Sequence, residues 1–144
     1  MGCDIHIAVE QKTEKGWVCI NTMNHYHRLV KNAGDWDWLS PVARTRNYER
    51  FAALAGVRGD GPEPKGAPDD VSETTAFLIN EHGSDGHSHS WLELSDALKV
   101  FMETEGRKFD DKSSAASCPC RYYFGVNEYR LSKDDFRIVF WFDN

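Results

Sequence analysis

The fold of this chain is decided by the stretch CDIHIAVE, residues 3–10. Its side chains alternate, so that Cys3, Ile5, Ile7 and Val9 fall on one face and Asp4, His6, Ala8 and Glu10 on the other. A period of two predicts a β-strand with one apolar face. The polar residues 12–16, KTEKG, and the apolar residues 17–20, WVCI, predict that this strand turns back as a hairpin.

The far end of the chain carries a second strand signal. The apolar run FRIVFWF, residues 136–142, is typical of a central strand, and RYYF, residues 121–124, predicts a further strand. Strands at both ends with helices between them predict an α+β fold. We expect a mixed or antiparallel sheet that includes the N- and C-terminal strands and is packed by short helices on one side.

Three short helices are predicted from their capping residues. They cover residues 46–55, 72–81 and 95–102, with Asn47, Ser72 and Ser95 as the respective N-caps. Residues 56–70 are rich in glycine and proline and predict a long loop, of the kind that often folds over a ligand. Residues 21–40 and 106–119 show no clean period and are predicted to be irregular.

Composition limits the classes of function. A chain of 144 residues, 40% of them hydrophobic, predicts a single domain spanning residues 1–144. The net charge of −6 argues against binding to duplex nucleic acid, which favours a basic surface. The sequence shows neither an apolar segment long enough to span a membrane nor a signal peptide, so a cytoplasmic protein with reduced cysteines is expected.

Two pairs of polar side chains are candidates for chemistry. Asp4 and His6 share a face of the first strand, and His87 and His89 share a side with Trp91 if that segment is extended. Imidazoles presented in this way bind metal ions or exchange protons with a substrate. We predict His6, His87 and His89 as catalytic residues, and Asp4, His6, His87 and His89 as ligands if a divalent metal is the cofactor. The alternative for each pair is a solvated face or a hydrogen-bonding role.

A candidate anion site lies at the start of the helix 46–55. Arg46, Asn47 and Tyr48 open this helix, whose N–H groups favour a negative charge, and Arg58 follows closely in sequence. Trp91 offers a ring on which a base can stack. We predict these five residues as ligand-binding, the alternatives being solvated arginines at a helix start and a tryptophan of the core.

Two of these motifs resemble a known enzyme family. Asp4-Ile5-His6 and Gly86-His87-Ser88-His89 are similar to the first and last motifs of the calcineurin-like metallophosphoesterases. The chain lacks that family's Gly-Asn-His motif, and its Asp-x-His begins a strand where the family's follows one. The likeness therefore implies the chemistry of metal-assisted phosphodiester hydrolysis and does not imply that fold.

The chain resembles more closely a group of small phage and prophage proteins that begin Met-Gly-Cys-Asp-Ile-His. The shared blocks are residues 1–6, RNY at 46–48 with Phe51 and LAGVR at 54–58, PDDVS at 68–72, DGHSHSWL at 85–92 and RIVFWFDN at 137–144. Small phage proteins of this kind include antagonists of bacterial nucleotide-signalling immunity, of the anti-CBASS or anti-Thoeris type, which cleave or sequester a cyclic nucleotide. The resemblance implies a class of function and no particular substrate.

Our leading hypothesis is a phage-encoded phosphodiesterase that cleaves a small cyclic nucleotide or dinucleotide immune signal in the bacterial host cytoplasm. A small nucleotide is thus the expected partner. The alternatives are a non-catalytic sponge that sequesters the nucleotide, and a protein-binding inhibitor of a host defence enzyme. A homodimer is compatible with a small protein of this kind, although no residue pattern demands one.

Overall fold

A computed structural model describes residues 2–22, 43, 45–109, 117–126 and 135–144. Four antiparallel strands form one sheet in the order β2-β1-β4-β3: β1 (Asp4–Thr13), β2 (Gly16–Thr22), β3 (Gly86–Glu93) and β4 (Phe136–Asp143). The N- and C-terminal strands therefore pair with each other at the centre of the sheet. This confirms the predicted α+β class and the predicted hairpin of β1 and β2. Of the two segments predicted to be irregular, the first has residues 21 and 22 at the end of β2 and residues 23–40 outside the described ranges. In the second, residues 106–109 are irregular as predicted, residues 110–116 lie outside the described ranges, and residues 117–119 are helical, which corrects the prediction there.

The helices are α1 (Tyr48–Ala55), α2 (Glu73–His82), α3 (Leu94–Glu103) and α4 (Ser117–Phe124), with a 3-10 turn at Gly83–Asp85. Asn47 and Ser72 cap α1 and α2 as predicted, because their side chains accept hydrogen bonds from the backbone N–H groups three residues on. Ser95 is not a cap, since α3 already begins at Leu94.

The predicted strand at residues 121–124 is wrong, because these residues belong to α4. Cys120, Tyr123 and Phe124 are buried, and their spacing of three and four residues suits one face of a helix. Both aromatic rings pack edge-on against Phe101 of α3. Tertiary packing on one face thus outweighs the preference of aromatic residues for strands.

Helices cover both faces of the sheet, so the prediction of helices on one side is also wrong. Ile7 and Phe140 belong to the main core, to which α1, α3 and α4 contribute, while Val139 and Trp141 pack on Leu78 of α2 on the opposite face. The reason lies in β4, in which every residue from Phe136 to Phe142 is buried. A strand that is apolar on both faces needs a cover on each.

The Gly/Pro-rich loop, residues 56–70, lies against β3. Its Gly66 N–H donates to the carbonyl of His89 over 2.8 Å, and the N–H of Lys65 donates to Ser90 Oγ over 3.1 Å. Part of the loop, with α1 and Ser88, lines a cavity of about 440 Å³ that carries the carboxylates of Asp60 and Glu63. The loop is therefore docked on β3, and its cavity has the wrong charge for an anion. No helix in the described ranges is long and apolar enough to cross a bilayer.

Candidate functional site at the end of the sheet

Two histidines and a carboxylate converge at the end of the sheet where β1 begins and β4 ends. His6 Nε2 lies 3.3 Å from Asp143 Oδ2, and His82 Nε2 lies 3.9 Å from the same oxygen. One ligand atom from each of the three side chains falls within 4.8 Å of the others. The side chains of His6, His82 and Asp143 are 20%, 15% and 28% exposed, so the group lies at the edge of the solvent. We call these three residues the His-His-Asp cluster.

Local structure explains why these three residues meet. His6 is the register partner of Trp141, and Asp143 follows Trp141 by two residues on the same face of β4. The third member, His82, is the last residue of α2, which packs its Leu78 on Trp141. Two neighbouring strands and one helix end therefore hold the cluster, with the Trp141 ring beneath it.

The tryptophan also contacts a ring nitrogen of His82. The indole N–H of Trp141 donates to His82 Nδ1 over 3.1 Å, and an indole nitrogen can only donate. In the neutral ring the proton then lies on Nε2, the atom nearer Asp143. The same Nδ1 lies 3.2 Å from the carbonyl oxygen of Leu78, to which it could donate only if the proton moved. His82 thus has two alternative hydrogen-bond partners at one nitrogen.

Two imidazole nitrogens in this region are buried and lack a hydrogen-bond partner among the described residues. They are Nε2 of His6 and Nε2 of His89. The 3.3 Å contact of His6 with Asp143 is close enough for an ion pair but does not have the geometry of a hydrogen bond. Burial, and then the neighbouring His82, lower the pKa of His6; burial, then His87 and His82, lower the pKa of His89. Both rings are therefore held in the neutral form that binds a metal ion or accepts a proton.

His87 and His89 do not share a face, which corrects the sequence prediction. His87 pairs with Phe142 and Ser90 with Phe140, so β3 carries one more residue than β4 between these pairs. This is a β-bulge, and its Ser88 has a positive φ of 56°. The extra residue turns His87 toward Phe142, with ring centroids 6.2 Å apart, while His89 stacks at 6.3 Å from Trp141. Only His89 stands on the face of the His-His-Asp cluster.

Asp4 is not part of the cluster, although it shares the face of His6. Arg46 donates from Nε to Asp4 Oδ1 over 2.6 Å and from a terminal nitrogen to Oδ2 over 3.1 Å. This hydrogen-bonded arginine lowers the pKa of Asp4. Because both carboxylate oxygens are engaged, Asp4 positions Arg46 beside the start of β1.

The other predicted ligand-binding residues are divided between two places. The Arg58 guanidinium lies 5.2 Å from the ring centre of Tyr48, whose hydroxyl accepts a hydrogen bond from the N–H of Cys3. These two residues gather with Arg46 near the start of β1. Trp91 lies on the α2 side of β3, with Lys65 Nζ 3.7 Å above its ring.

Asn47 has a structural position. Its oxygen caps α1 by accepting from Arg50 N, and its amide nitrogen donates to the carbonyl of Thr104 over 3.2 Å. Both ends of the side chain are therefore already bonded within the fold. At the predicted anion site, Arg46 and Tyr48 therefore remain candidates for ligand binding, whereas the side-chain amide of Asn47 is already hydrogen-bonded.

Sequence reasoning missed His82 and Asp143. His82 sits at the C-terminal end of a helix, where a histidine is an ordinary stabilising residue. Asp143 has one readable signal, the alternation of β4, which places it on the same face as Arg137, Val139 and Trp141. Pairing β4 with β1 in the observed register brings Asp143 to His6, but this register is set by tertiary structure and cannot be read from local sequence.

Comparison of the chain with protein-family models, with curated proteins and with solved structures finds no match.

Proposed function

We propose that this protein is a phage-encoded phosphodiesterase that hydrolyses a small cyclic nucleotide or cyclic dinucleotide at the His-His-Asp cluster. The observation that carries the proposal is the convergence of two imidazole nitrogens and a carboxylate oxygen within 4.8 Å of one another at a solvent-reachable end of the sheet. The phage source and the immune-signal substrate rest on the resemblance of the N-terminal, central and C-terminal sequence blocks described above.

The cluster suits the activation of water. Hydrolysis of a phosphodiester adds one water molecule: its oxygen forms a new bond to phosphorus, and the bond from phosphorus to a ribose oxygen breaks. One proton leaves the attacking water, and one is gained by the leaving oxygen. A neutral imidazole can serve both transfers in turn: it accepts the proton of the attacking water, and the imidazolium so formed gives a proton to the leaving oxygen. His89 is one such group, because it lies on the same face with an unbonded Nε2.

The arginines near the start of β1 suit the phosphate. Arg46 is held by Asp4, two residues before His6 on the same strand face, and Arg58 lies over Tyr48. A fixed guanidinium stabilises the negative charge that grows on phosphate oxygens in the transition state. Arg46 and Arg58 are therefore assigned to substrate binding and His6, His82 and Asp143 to water activation.

The proposal is tested by incubating the purified protein with a panel of cyclic mono- and dinucleotides, followed by chromatography. Linear products that disappear in His82→Ala and persist in Lys99→Ala, an exposed change on α3, would support it. Retained turnover in His82→Ala, with the fold intact by circular dichroism, would contradict it.

Sequestration without cleavage is the second candidate function. It is favoured by the pairing of Arg58 with the exposed Tyr48, since one guanidinium and one ring can hold a phosphate and a base. In this case the nucleotide disappears from solution and returns intact after heat denaturation. An unchanged panel, before and after heating, would favour a protein partner instead.

A further inference from the structure

We infer that the His-His-Asp cluster is a binding site for a single divalent transition-metal ion of the zinc class, with His6 Nε2, His82 Nε2 and an oxygen of Asp143 as its protein ligands. The inference deepens the proposed function by naming its cofactor, and it rests on that proposal only for the role of the ion. Metal binding itself can be measured without any substrate.

The distances fit the coordination shell of such an ion. Zinc binds imidazole nitrogen and carboxylate oxygen at about 2.0–2.2 Å, so neighbouring ligands of a tetrahedral ion lie about 3.4 Å apart. The observed separations from Asp143 Oδ2 are 3.3 Å to His6 Nε2 and 3.9 Å to His82 Nε2. All three ligand atoms lie within 4.8 Å of one another, so they would have to move closer together to complete the shell. Three protein ligands leave the fourth position for water, as in catalytic zinc sites.

The donor chemistry points the same way. Two neutral imidazoles and one carboxylate are the ligand set of many hydrolytic zinc centres, whereas calcium and magnesium favour oxygen ligands alone. His6 Nε2 is buried with no hydrogen-bond partner among the described residues, which is a costly arrangement unless something binds there. A metal ion would satisfy this nitrogen.

The surroundings of His82 also suit a ligand. When Nε2 binds a metal, the ring proton must lie on Nδ1, and a ligating histidine usually donates that proton to a carbonyl or carboxylate. The Leu78 carbonyl is 3.2 Å from Nδ1 and can accept it. The indole N–H of Trp141 then loses its acceptor, because Nδ1 no longer has a lone pair to offer. Metal binding at this site therefore has a signature at Trp141.

This ligand set differs from the one predicted from sequence, and His6 is the residue they share. Asp4 is already bonded through both oxygens to Arg46, and His87 is turned to the opposite face by the bulge at Ser88. His89 shares the face of the cluster, but the three mutually close ligand atoms do not include one of its own. Substitutions at His82 and His87 therefore separate the two sets.

The test is a titration of EDTA-treated, dialysed full-length protein with Co²⁺ and with Zn²⁺. We expect one ion per chain, visible absorption typical of low-coordinate Co²⁺ bound to nitrogen, and displacement of Co²⁺ by Zn²⁺. His82→Ala and Asp143→Asn should each weaken binding by more than about tenfold, because the loss of even an outer-shell partner costs about 10–100-fold. His87→Ala, the matched change on the opposite face, should leave the titration unchanged.

A second readout guards against variants that fail to fold. In ¹H–¹⁵N spectra of the unsubstituted protein, the indole resonance assigned through Trp141→Phe should shift when Zn²⁺ is added. Absence of stoichiometric binding, or equal loss in His87→Ala and His82→Ala, would overturn the inference. Nucleotide cleavage at full rate in metal-free protein would overturn the role of the ion as a cofactor, while the proposed phosphodiesterase would stand. Stoichiometric binding without cleavage of any nucleotide would support the metal site and count against the proposed function.

Discussion

Replacing Glu10 with alanine should strongly destabilise the protein, because this buried carboxylate joins β1, β4 and the start of α2. Its side chain is fully buried, with one oxygen accepting from Arg137 Nε over 2.8 Å. The other oxygen accepts from the N–H of Ser72 over 2.7 Å and from the hydroxyl of Thr75 over 2.8 Å. The N-terminal end of the helix that carries His82 is therefore anchored to the sheet by one side chain.

The size of the effect follows from what Glu10→Ala leaves behind. Arg137 is 5% exposed, and among the described residues it keeps the largely exposed carboxylate of Asp70, the backbone carbonyl of Asp70 and the face of Trp17 as partners. Removing one member of a buried ion pair costs about 3–5 kcal/mol, since the remaining charge is uncompensated. For a domain of this size that loss lowers the melting temperature by about 10–17 °C.

Urea unfolding of Glu10→Ala, followed by circular dichroism, measures the loss directly. Glu14→Ala changes the same residue type in the exposed hairpin turn and should stay within about 0.5 kcal/mol of the unsubstituted protein. We also expect weaker Co²⁺ binding in Glu10→Ala, because α2 is no longer held at its first turn. A loss of stability below about 1 kcal/mol would refute the reasoning, since it would mean that water reaches Arg137 and replaces the pair.

The pKa values of His6 and His89 lie below the ordinary value of 6.5, so the unfolded chain takes up protons first as the pH falls. The stability of the fold should therefore be full above pH 6.5 and decline below it, by at most about 1.4 kcal/mol per pH unit for each histidine. A flat profile of melting temperature from pH 8 to 5 would contradict this. Gly61→Ala should lower the free energy of unfolding by about 1–3 kcal/mol or more, because the added Cβ would lie 1.7 Å from the backbone oxygen of Ala52. An unchanged melting temperature would show that the loop is not docked against α1 at this residue. Asn47→Ala should lower the free energy of unfolding by about 1–2 kcal/mol, because α1 loses its N-cap. If Asn47→Ala instead loses nucleotide binding without a change in stability, Asn47 has a ligand-binding role.

The secondary structure could be predicted where local pattern and tertiary packing agree. The period of two in β1, the apolar run of β4 and the caps Asn47 and Ser72 all appear where the sequence indicates them. Residues 121–124 show the opposite case. Their aromatic composition suggests a strand, but Tyr123 and Phe124 are buried on Phe101 as part of a helix.

The candidate site could be predicted only in part, because its members are brought together by long-range pairing. His6 follows from the polar face of β1, and His89 also stands on that face, but a single bulge at Ser88 removes His87 from it. A one-residue change of register moves a side chain to the opposite face of a sheet, and nothing local in the sequence marks that change.

Side-chain pattern alone indicated the strands β1, β2 and β4 and the helices α1 to α3, but not the helix α4. It also indicated that both ends of the chain enter one sheet and that a histidine stands on the polar face of β1. These properties depend on side-chain periodicity and capping, which act over a few residues. Only the tertiary structure decided that His82 and Asp143 would join His6. Their distances depend on the register between β1 and β4 and on the packing of Leu78 against Trp141, interactions between residues that are far apart in the chain.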